Sequence, residues 1–163
     1  MSEDMPVVPT ANRAWHAGLS VGNALLDKQH IVLFELVRSL RDAQDNLDDH
    51  AFNRALCDLL TLAQRHCAAE EHLLALNGYE WLEQHREEHL AGLDRIQSIC
   101  LRRARGDLGR ESACTAVAAW LEAHLVEMDL PARAYLGSSP GAAAGAGEDL
   151  SESLEVDSDS EPV

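Results

Sequence analysis

The spacing of apolar residues constrains the fold of this chain more than any other feature of its sequence. Apolar side chains recur at intervals of three and four residues along four stretches, which is the pattern of α-helices with one face against a core. Ala and Leu dominate, while aromatic residues make up only 4% of the chain, a composition typical of packed helices rather than of a β-sandwich. The sequence therefore predicts an all-α protein.

Local signals place the ends of the four helices. Gly78 and Gly106 suit the position just after a helix, and Pro131 disfavours helix in the residue before it. Asp48 or Asp49 suits the cap at the start of the second helix. These signals predict helices over about 23–44, 49–77, 80–105 and 109–128. Because the connections are short, we expect an antiparallel up-down four-helix bundle.

The chain outside the helices divides into two further parts. We predict an irregular N-terminal arm over residues 1–20, with Trp15 as its anchor on the bundle, and the bundle itself over 21–136. Residues 138–163 contain seven acidic residues and neither Lys nor Arg, and they are rich in Gly and Ser. This composition predicts a disordered acidic C-terminal tail over 137–163, which serves solubility by default.

Charge and targeting signals limit the partners and the location. The net charge of −15 argues against binding to nucleic acid or to an anionic membrane, which both require clustered basic residues. The opening MSEDMPVVPT lacks the features of a signal peptide, and no apolar stretch is long enough for membrane insertion. The four cysteines contain no CxxC pair. We therefore expect a cytoplasmic protein with reduced thiols and no disulfide framework.

Histidines fall on the core faces of all four predicted helices. Counting about 100° per residue turns five imidazoles and one carboxylate inward. Burying such groups without partners costs roughly 1–3 kcal/mol each, which together would consume most of a typical stability of about 5–15 kcal/mol. A metal centre removes this cost, because imidazole and carboxylate are both metal ligands. The inward-facing residues are His30, His66, Glu70, His85, His89 and His124.

Spacing favours two metal ions over one. The pairs His66/Glu70 and His85/His89 are four residues apart and so are neighbours on a helix surface. Asp129 is a second candidate carboxylate, but in a regular helix it would point about 140° away from His124. It joins the set if the helix loosens near Pro131. Five histidines and two carboxylates exceed the needs of one ion and suit a pair of ions bridged by carboxylates.

At this point the chain resembles the hemerythrins, and in particular the single-domain bacteriohemerythrins. The resemblance covers about residues 15–136. The residues that carry it are Trp15, VGNALLDKQH ending at His30, HCAAEE from His66, GYEWLEQHREEH ending at His89, and WLEAHLVEMD from 120 to 129.

The resemblance implies a metal site with defined roles. His85, His89 and His124 would bind one iron and His30 and His66 the other, with Glu70, Asp129 and an oxo or hydroxo group as bridges. The second iron is then five-coordinate, and its open position is where such proteins bind dioxygen.

We therefore expect reversible dioxygen binding for carriage, storage or delivery, and not an enzyme. Diiron oxidases use Glu-x-x-His pairs, and this sequence contains none. The expected partners are dioxygen and an oxygen-using enzyme or redox partner, and the expected state is a monomer or weak oligomer. Two alternatives stay open: an oxygen or redox sensor or interaction module acting through the acidic tail, and a peroxide or nitric oxide reductase at the same irons.

Several other residues carry simpler expectations. Cys67 stands where the family commonly has Phe, so it is either a small buried thiol or a residue that alters the pocket and speeds oxidation of the oxygen-bound form. Trp81 and Trp120 are expected to pack, and Glu71 to be an exposed charge. Three histidines are expected at the surface: His16, His50 and His72.

Overall fold

A computed structural model describes residues 15–137, which form four long helices joined by short connections. The predicted acidic tail from residue 138 onward and the first part of the predicted arm lie outside the described residues. The bounds of the long helices are α1 Ala24–Asp42, α2 Asp49–Leu76, α3 Leu82–Ala104 and α4 Arg110–His124.

The capping signals read from the sequence are present in the structure. The Asp48 side chain accepts a hydrogen bond from the Ala51 N–H and so caps α2. Gly78 and Gly106 have φ angles of +67° and +77°, the left-handed conformation that glycine adopts at low cost after a helix. Because each helix ends in a short turn, consecutive helices run antiparallel and pack side by side. The predicted all-α four-helix bundle is confirmed.

The prediction that the fourth helix ends near Met128 is wrong. The helical path continues from α4 through a π-helical turn, Leu125–Asp129, into a fifth helix, α5, Leu130–Leu136. In the π turn the Leu130 N–H donates to the Leu125 carbonyl, five residues back. Pro131 follows at once, in the first turn of α5, where a missing N–H costs little. The proline therefore accompanies a change of helical pitch and does not end the helix.

Two apolar clusters fill the bundle and leave a layer between them. The larger cluster extends from the middle of the bundle to the end where α1 turns into α2, and includes Leu33, Phe52 and Val117. The smaller cluster closes the other end with Leu26, Leu74 and residues of α5. Along each long helix the inward-facing polar residues lie between members of these two clusters. The polar groups of the core therefore lie in one layer across the bundle, between the two apolar clusters.

Charged residues tie the helices together at the end far from this layer. Arg103 is buried, and its guanidinium donates to the Leu108 carbonyl and to Asp49. Arg110 donates to the same carboxylate, and both guanidinium groups lie over the Phe52 ring, at 5.3 and 5.4 Å from its centroid. These contacts join the starts of α2 and α4 to the end of α3.

None of the helices within residues 15–137 combines the length and the apolar character needed to cross a membrane.

Candidate metal centre

Every long helix contributes to one buried polar cluster between the two apolar clusters. Helix α1 supplies one histidine, α2 a histidine and a glutamate, α3 two histidines and α4 one histidine, while the π turn supplies an aspartate. None of the seven side chains is more than 5% exposed. They are His30, His66, Glu70, His85, His89, His124 and Asp129.

The polar atoms at the centre of this cluster lack hydrogen-bond partners. Among residues 15–137, both oxygens of Glu70, one oxygen of Asp129 and the Nε2 atoms of His66 and His85 are buried without any hydrogen bond. A buried polar atom without a partner costs about 1–3 kcal/mol, so such a concentration is unfavourable for the protein chain alone. Metal ions would satisfy all these atoms at once. The donor set, imidazole nitrogen with carboxylate oxygen, therefore fits a metal centre.

Glu70 faces histidines on both of its sides. Its Oε1 lies 3.3 Å from Nε2 of His66 and 3.6 Å from Nε2 of His30. Its Oε2 faces the other three histidines, at 3.3 Å from His89, 3.6 Å from His85 and 3.7 Å from His124. One carboxylate thus divides its two oxygens between two groups of imidazoles.

Asp129 divides its oxygens in the same way. Its Oδ2 lies 3.2 Å from Nε2 of His30, and its Oδ1 lies 2.9 Å from His124 and 3.5 Å from His85. The π turn makes this arrangement available, because its bonds between residues five apart align Asp129 with His124. On α2, ordinary bonds between residues four apart align Glu70 with His66. The expected loosening of the helix before Pro131 is confirmed.

The cluster consequently resolves into two overlapping sets of potential ligands. In each set one ligand atom from every residue lies within 4.8 Å of all the others. The larger set is Glu70, His85, His89, His124 and Asp129; the smaller set is His30, His66, Glu70 and Asp129. Both carboxylates belong to both sets. In the larger set the Nε2 atoms of His89 and His124 are 3.0 Å apart, which is suited to two imidazoles directed at one ion.

Two residues outside the cluster orient its histidines, and sequence reasoning missed both. The Nδ1–H of His66 donates to Gln29 Oε1 at 3.0 Å, and the Nδ1–H of His89 donates to Glu71 Oε1 at 2.8 Å. Each contact fixes the ring so that Nε2, with its lone pair, faces the cluster. The Glu71 carboxylate also lies 3.5 Å from Arg86. Glu71 is therefore not the simple exposed charge expected; its position next to Glu70 was the available signal.

A tryptophan covers each half of the cluster. Trp15 stacks on His30 with the ring centroids 5.7 Å apart, so the expected anchoring role of Trp15 is confirmed. Trp120 stacks on His124 with centroids 5.5 Å apart and an angle of 18° between the planes. The indole of Trp120 lies directly over Gly92, where a Cβ atom would approach its Nε1 to 1.9 Å. Gly92 therefore makes room for the tryptophan that positions His124.

The electrostatics of the cluster keep both carboxylates ionised. Burial opposes charge on Glu70, but the imidazoles of His124 and His66 beside it hold its pKa well below the usual range. The pKa of Asp129 is also lowered, because His124 and His30 outweigh burial and the repulsion from Glu70. For His124, burial favours the neutral ring, yet the two carboxylates raise its pKa to about 10. A buried pair of anions of this kind attracts cations.

Cys67 is a buried thiol in the larger apolar cluster. Burial, and then the negative charges of Glu70 and Asp129, raise the pKa of this thiol, so it stays protonated. Its influence on the pocket stays a prediction.

The simpler expectations mostly hold. His16, His50 and His72 are exposed, and Trp120 packs in the core. Trp81 does not pack: 57% of its surface is exposed, because it occupies the N-cap position, just before the first turn of α3.

A helical bundle whose core holds a layer of histidines and carboxylates belongs to the class of proteins that can bind metal between facing helices. Residues 21–130 match the family described as the hemerythrin HHE cation binding domain. Because this match spans more than half of the chain, the protein belongs to the hemerythrin family.

Curated relatives point in the same direction. The chain is 25% identical over 111 residues to a bacteriohemerythrin of Stenotrophomonas maltophilia, which covers 68% of this chain and 72% of the relative. It is also 25% identical over 115 residues to a bacteriohemerythrin of Pseudomonas aeruginosa, covering 71% of this chain and 75% of the relative. A bacteriohemerythrin of Pseudomonas paraeruginosa gives the same identity and coverage. The comparison with solved structures found no match.

Proposed function

We propose that this protein holds two iron ions in the seven-residue cluster and binds dioxygen reversibly at one of them. In this proposal His85, His89 and His124 hold the first iron, and His30 and His66 hold the second. Glu70 and Asp129 bridge the two ions, together with an oxo or hydroxo group. The single observation that carries the proposal is that each carboxylate directs one oxygen to each group of histidines.

The two ligand sets differ in size, and this difference supports the proposal that dioxygen binds at the ion held by the smaller set. The larger set offers three imidazoles and the smaller set two, while both share the same two carboxylates. The second ion therefore has one protein ligand fewer than the first. The apolar residues on both sides of the polar layer, with Trp15 over His30, limit access of water to that position.

The chain and the metal contribute different parts of the function. When bound, a pair of ferrous ions supplies the two electrons that reversible dioxygen binding requires. The protein supplies fixed ligand orientation through Gln29 and Glu71, and two ionised carboxylates that offset the charge of the ions. Five histidines with only two carboxylates give less anionic stabilisation to highly oxidised iron than the four-carboxylate sites of oxidases. We therefore infer binding rather than catalytic turnover.

An optical experiment tests the proposal directly. The protein is reduced without oxygen, loaded with iron, and measured before oxygen is added, after addition and after removal. We expect about two irons per chain and a charge-transfer band that forms with oxygen and is lost on its removal. Prompt, irreversible oxidation would contradict reversible binding, and a mononuclear site would contradict the whole assignment.

Matched variants separate the two metal positions. His66→Leu should lose the second ion and the oxygen-dependent band, while the first position keeps its three imidazoles. His72→Leu is the control, because His72 lies on the same helix but is exposed. Equal iron content in the two variants would refute the assignment of His66.

A measurement of catalytic turnover distinguishes the proposed role in carriage, storage or delivery from reduction of peroxide or nitric oxide. Iron-loaded protein with a reductant and peroxide should consume peroxide no faster than the iron-loaded His66→Leu variant. Sustained consumption that depends on His66 would replace the binding proposal by a reductase.

A further inference from the structure

Two cysteines lie opposite each other across the seam between α2 and α3, far from the metal cluster. The two helices are antiparallel, and the ion pair between Glu71 on α2 and Arg86 on α3 shows their register. Cys57 lies two heptads before Glu71, and Cys100 lies two heptads after Arg86. Two heptads return a residue to the same face of a packed helix, so the two thiols occupy the equivalent seam position.

The contact between these thiols is direct. Burial raises the pKa of the Cys100 thiol to about 12, and the neighbouring Cys57 sulfur adds to this rise, which places the two thiols side by side. Both cysteines are free thiols. Their environments differ, because Cys57 is exposed to solvent whereas Cys100 is half-buried in the seam. An oxidant from solution therefore reaches Cys57 first. The Cys100 thiol is less accessible and stays protonated.

The pair is separate from the metal cluster. Cys57 precedes His66 by nine positions on α2, and at 1.5 Å of rise per residue the two are about 14 Å apart along the helix axis. No side chain of the seven-residue cluster reaches that distance. The other two cysteines, Cys67 and Cys114, are buried and carry no comparable thiol partner among the described residues.

We propose that Cys57 and Cys100 are a reversible redox pair that forms a disulfide between α2 and α3 when a hydroperoxide oxidises Cys57. The Cys57 thiol releases its proton and its sulfur attacks a hydrogen peroxide oxygen. The O–O bond breaks, and the leaving hydroxide takes up a proton, so that a sulfenic acid and water are produced. The Cys100 sulfur then attacks the sulfenic sulfur. The S–O bond breaks, the S–S bond forms, and the Cys100 proton leaves in a second water. Two thiols and one peroxide thus give one disulfide and two waters, and a dithiol reductant reverses the change.

This crosslink would join the two helices that carry His66, Glu70, His85 and His89. The oxidised form would therefore hold the seam beside the metal cluster more firmly than the reduced form does. Because this bond is reversible, it is compatible with the expectation of reduced thiols without a permanent disulfide framework.

Peroxide titration of the full-length, metal-loaded protein tests the pair. After denaturation, two of the four thiols should be lost, and the mass should fall by that of two hydrogen atoms. Peptide mapping should find Cys57 linked to Cys100. In Cys100→Ser, the sulfenic acid on Cys57 should persist and be trapped by dimedone, whereas Cys57→Ser should lose thiols at least roughly tenfold more slowly. Cys114→Ser is the control and should behave like the unaltered protein.

A second measurement removes any contribution from metal chemistry. Equilibration with glutathione redox buffers, without peroxide, should give the same Cys57–Cys100 disulfide by thiol exchange. The proposal would be overturned if Cys57 ended as a sulfinic acid or glutathione adduct while Cys100 stayed reduced. It would also be overturned if Cys100→Ser gave the same products as the unaltered protein.

Discussion

Gly92→Ala should destabilise this protein, although the same change in most helices is stabilising. A glycine within a helix costs about 1 kcal/mol relative to alanine, so helix propensity alone predicts a gain of that size. The structure reverses the sign. The added Cβ would lie 1.9, 2.3 and 2.7 Å from three atoms of the Trp120 indole. The indole would have to retreat by ~1.5 Å to reach ordinary van der Waals separation.

Retreat of the indole would disturb two sets of contacts. Trp120 stacks on His124 on one side and packs in the larger apolar cluster on the other. Overpacking of this kind costs about 1–3 kcal/mol, which outweighs the helix-propensity gain. The expected result is a net loss of up to about 2 kcal/mol of stability. Metal affinity should also fall, because displacement of Trp120 moves His124.

A double-mutant cycle isolates the contact between these two residues. In the Trp120→Leu background the whole indole ring is absent, and Gly92→Ala should then stabilise the helix by up to about 1 kcal/mol. Guanidinium unfolding at a fixed excess of metal gives the four free energies of unfolding. A coupling energy near zero, with Gly92→Ala stabilising in both backgrounds, would refute the role assigned to Gly92.

Three further perturbations test other contacts. Glu71→Ala should weaken metal binding by roughly 10–100-fold in competition with a chelator, because His89 loses its orienting partner, whereas the exposed Glu87→Ala should leave affinity unchanged. Cys67→Phe should overfill the apolar cluster and cost about 1–3 kcal/mol of stability in guanidinium unfolding. If Cys67→Ala leaves the rate of oxidation of the oxygen-bound form unchanged, the thiol does not promote that oxidation. Arg103→Met should lose about 1–3 kcal/mol of stability by leaving the partly buried Leu108 carbonyl without its donor. Arg102→Met at the surface should change stability by less than about 0.5 kcal/mol.

The helical architecture was predictable because its signals are local. Asp48, Gly78 and Gly106 each act within one turn, and the apolar period acts along each helix. The inward direction of the histidines followed from the same period, since a helix converts sequence spacing into angle. Apart from the end of the fourth helix, what could be inferred from one helix at a time was therefore inferred correctly.

Features that depend on contacts between helices were not predictable from spacing. The hydrogen bond from His89 to Glu71 joins α3 to α2, and the sequence around Glu71 gives no signal for it other than the position next to Glu70. Tryptophan is a large apolar residue that commonly packs in cores, but Trp81 lies at the start of α3, where it is exposed to solvent. Pro131 was given too much weight, because a proline in the first turn after a π turn does not stop a helix.

The π turn also determines where this chain can change in length. Such a turn is an α-helical turn with one residue added, so removal of Val126 would restore ordinary pitch and still align Asp129 with His124. Removal of Ala118, within α4, would instead rotate every later side chain by about 100° and turn both residues out of the cluster. Counting bound metal in the two deletion variants would show the difference. Deletion of a single residue should therefore be tolerated within residues 125–128 and not within α4.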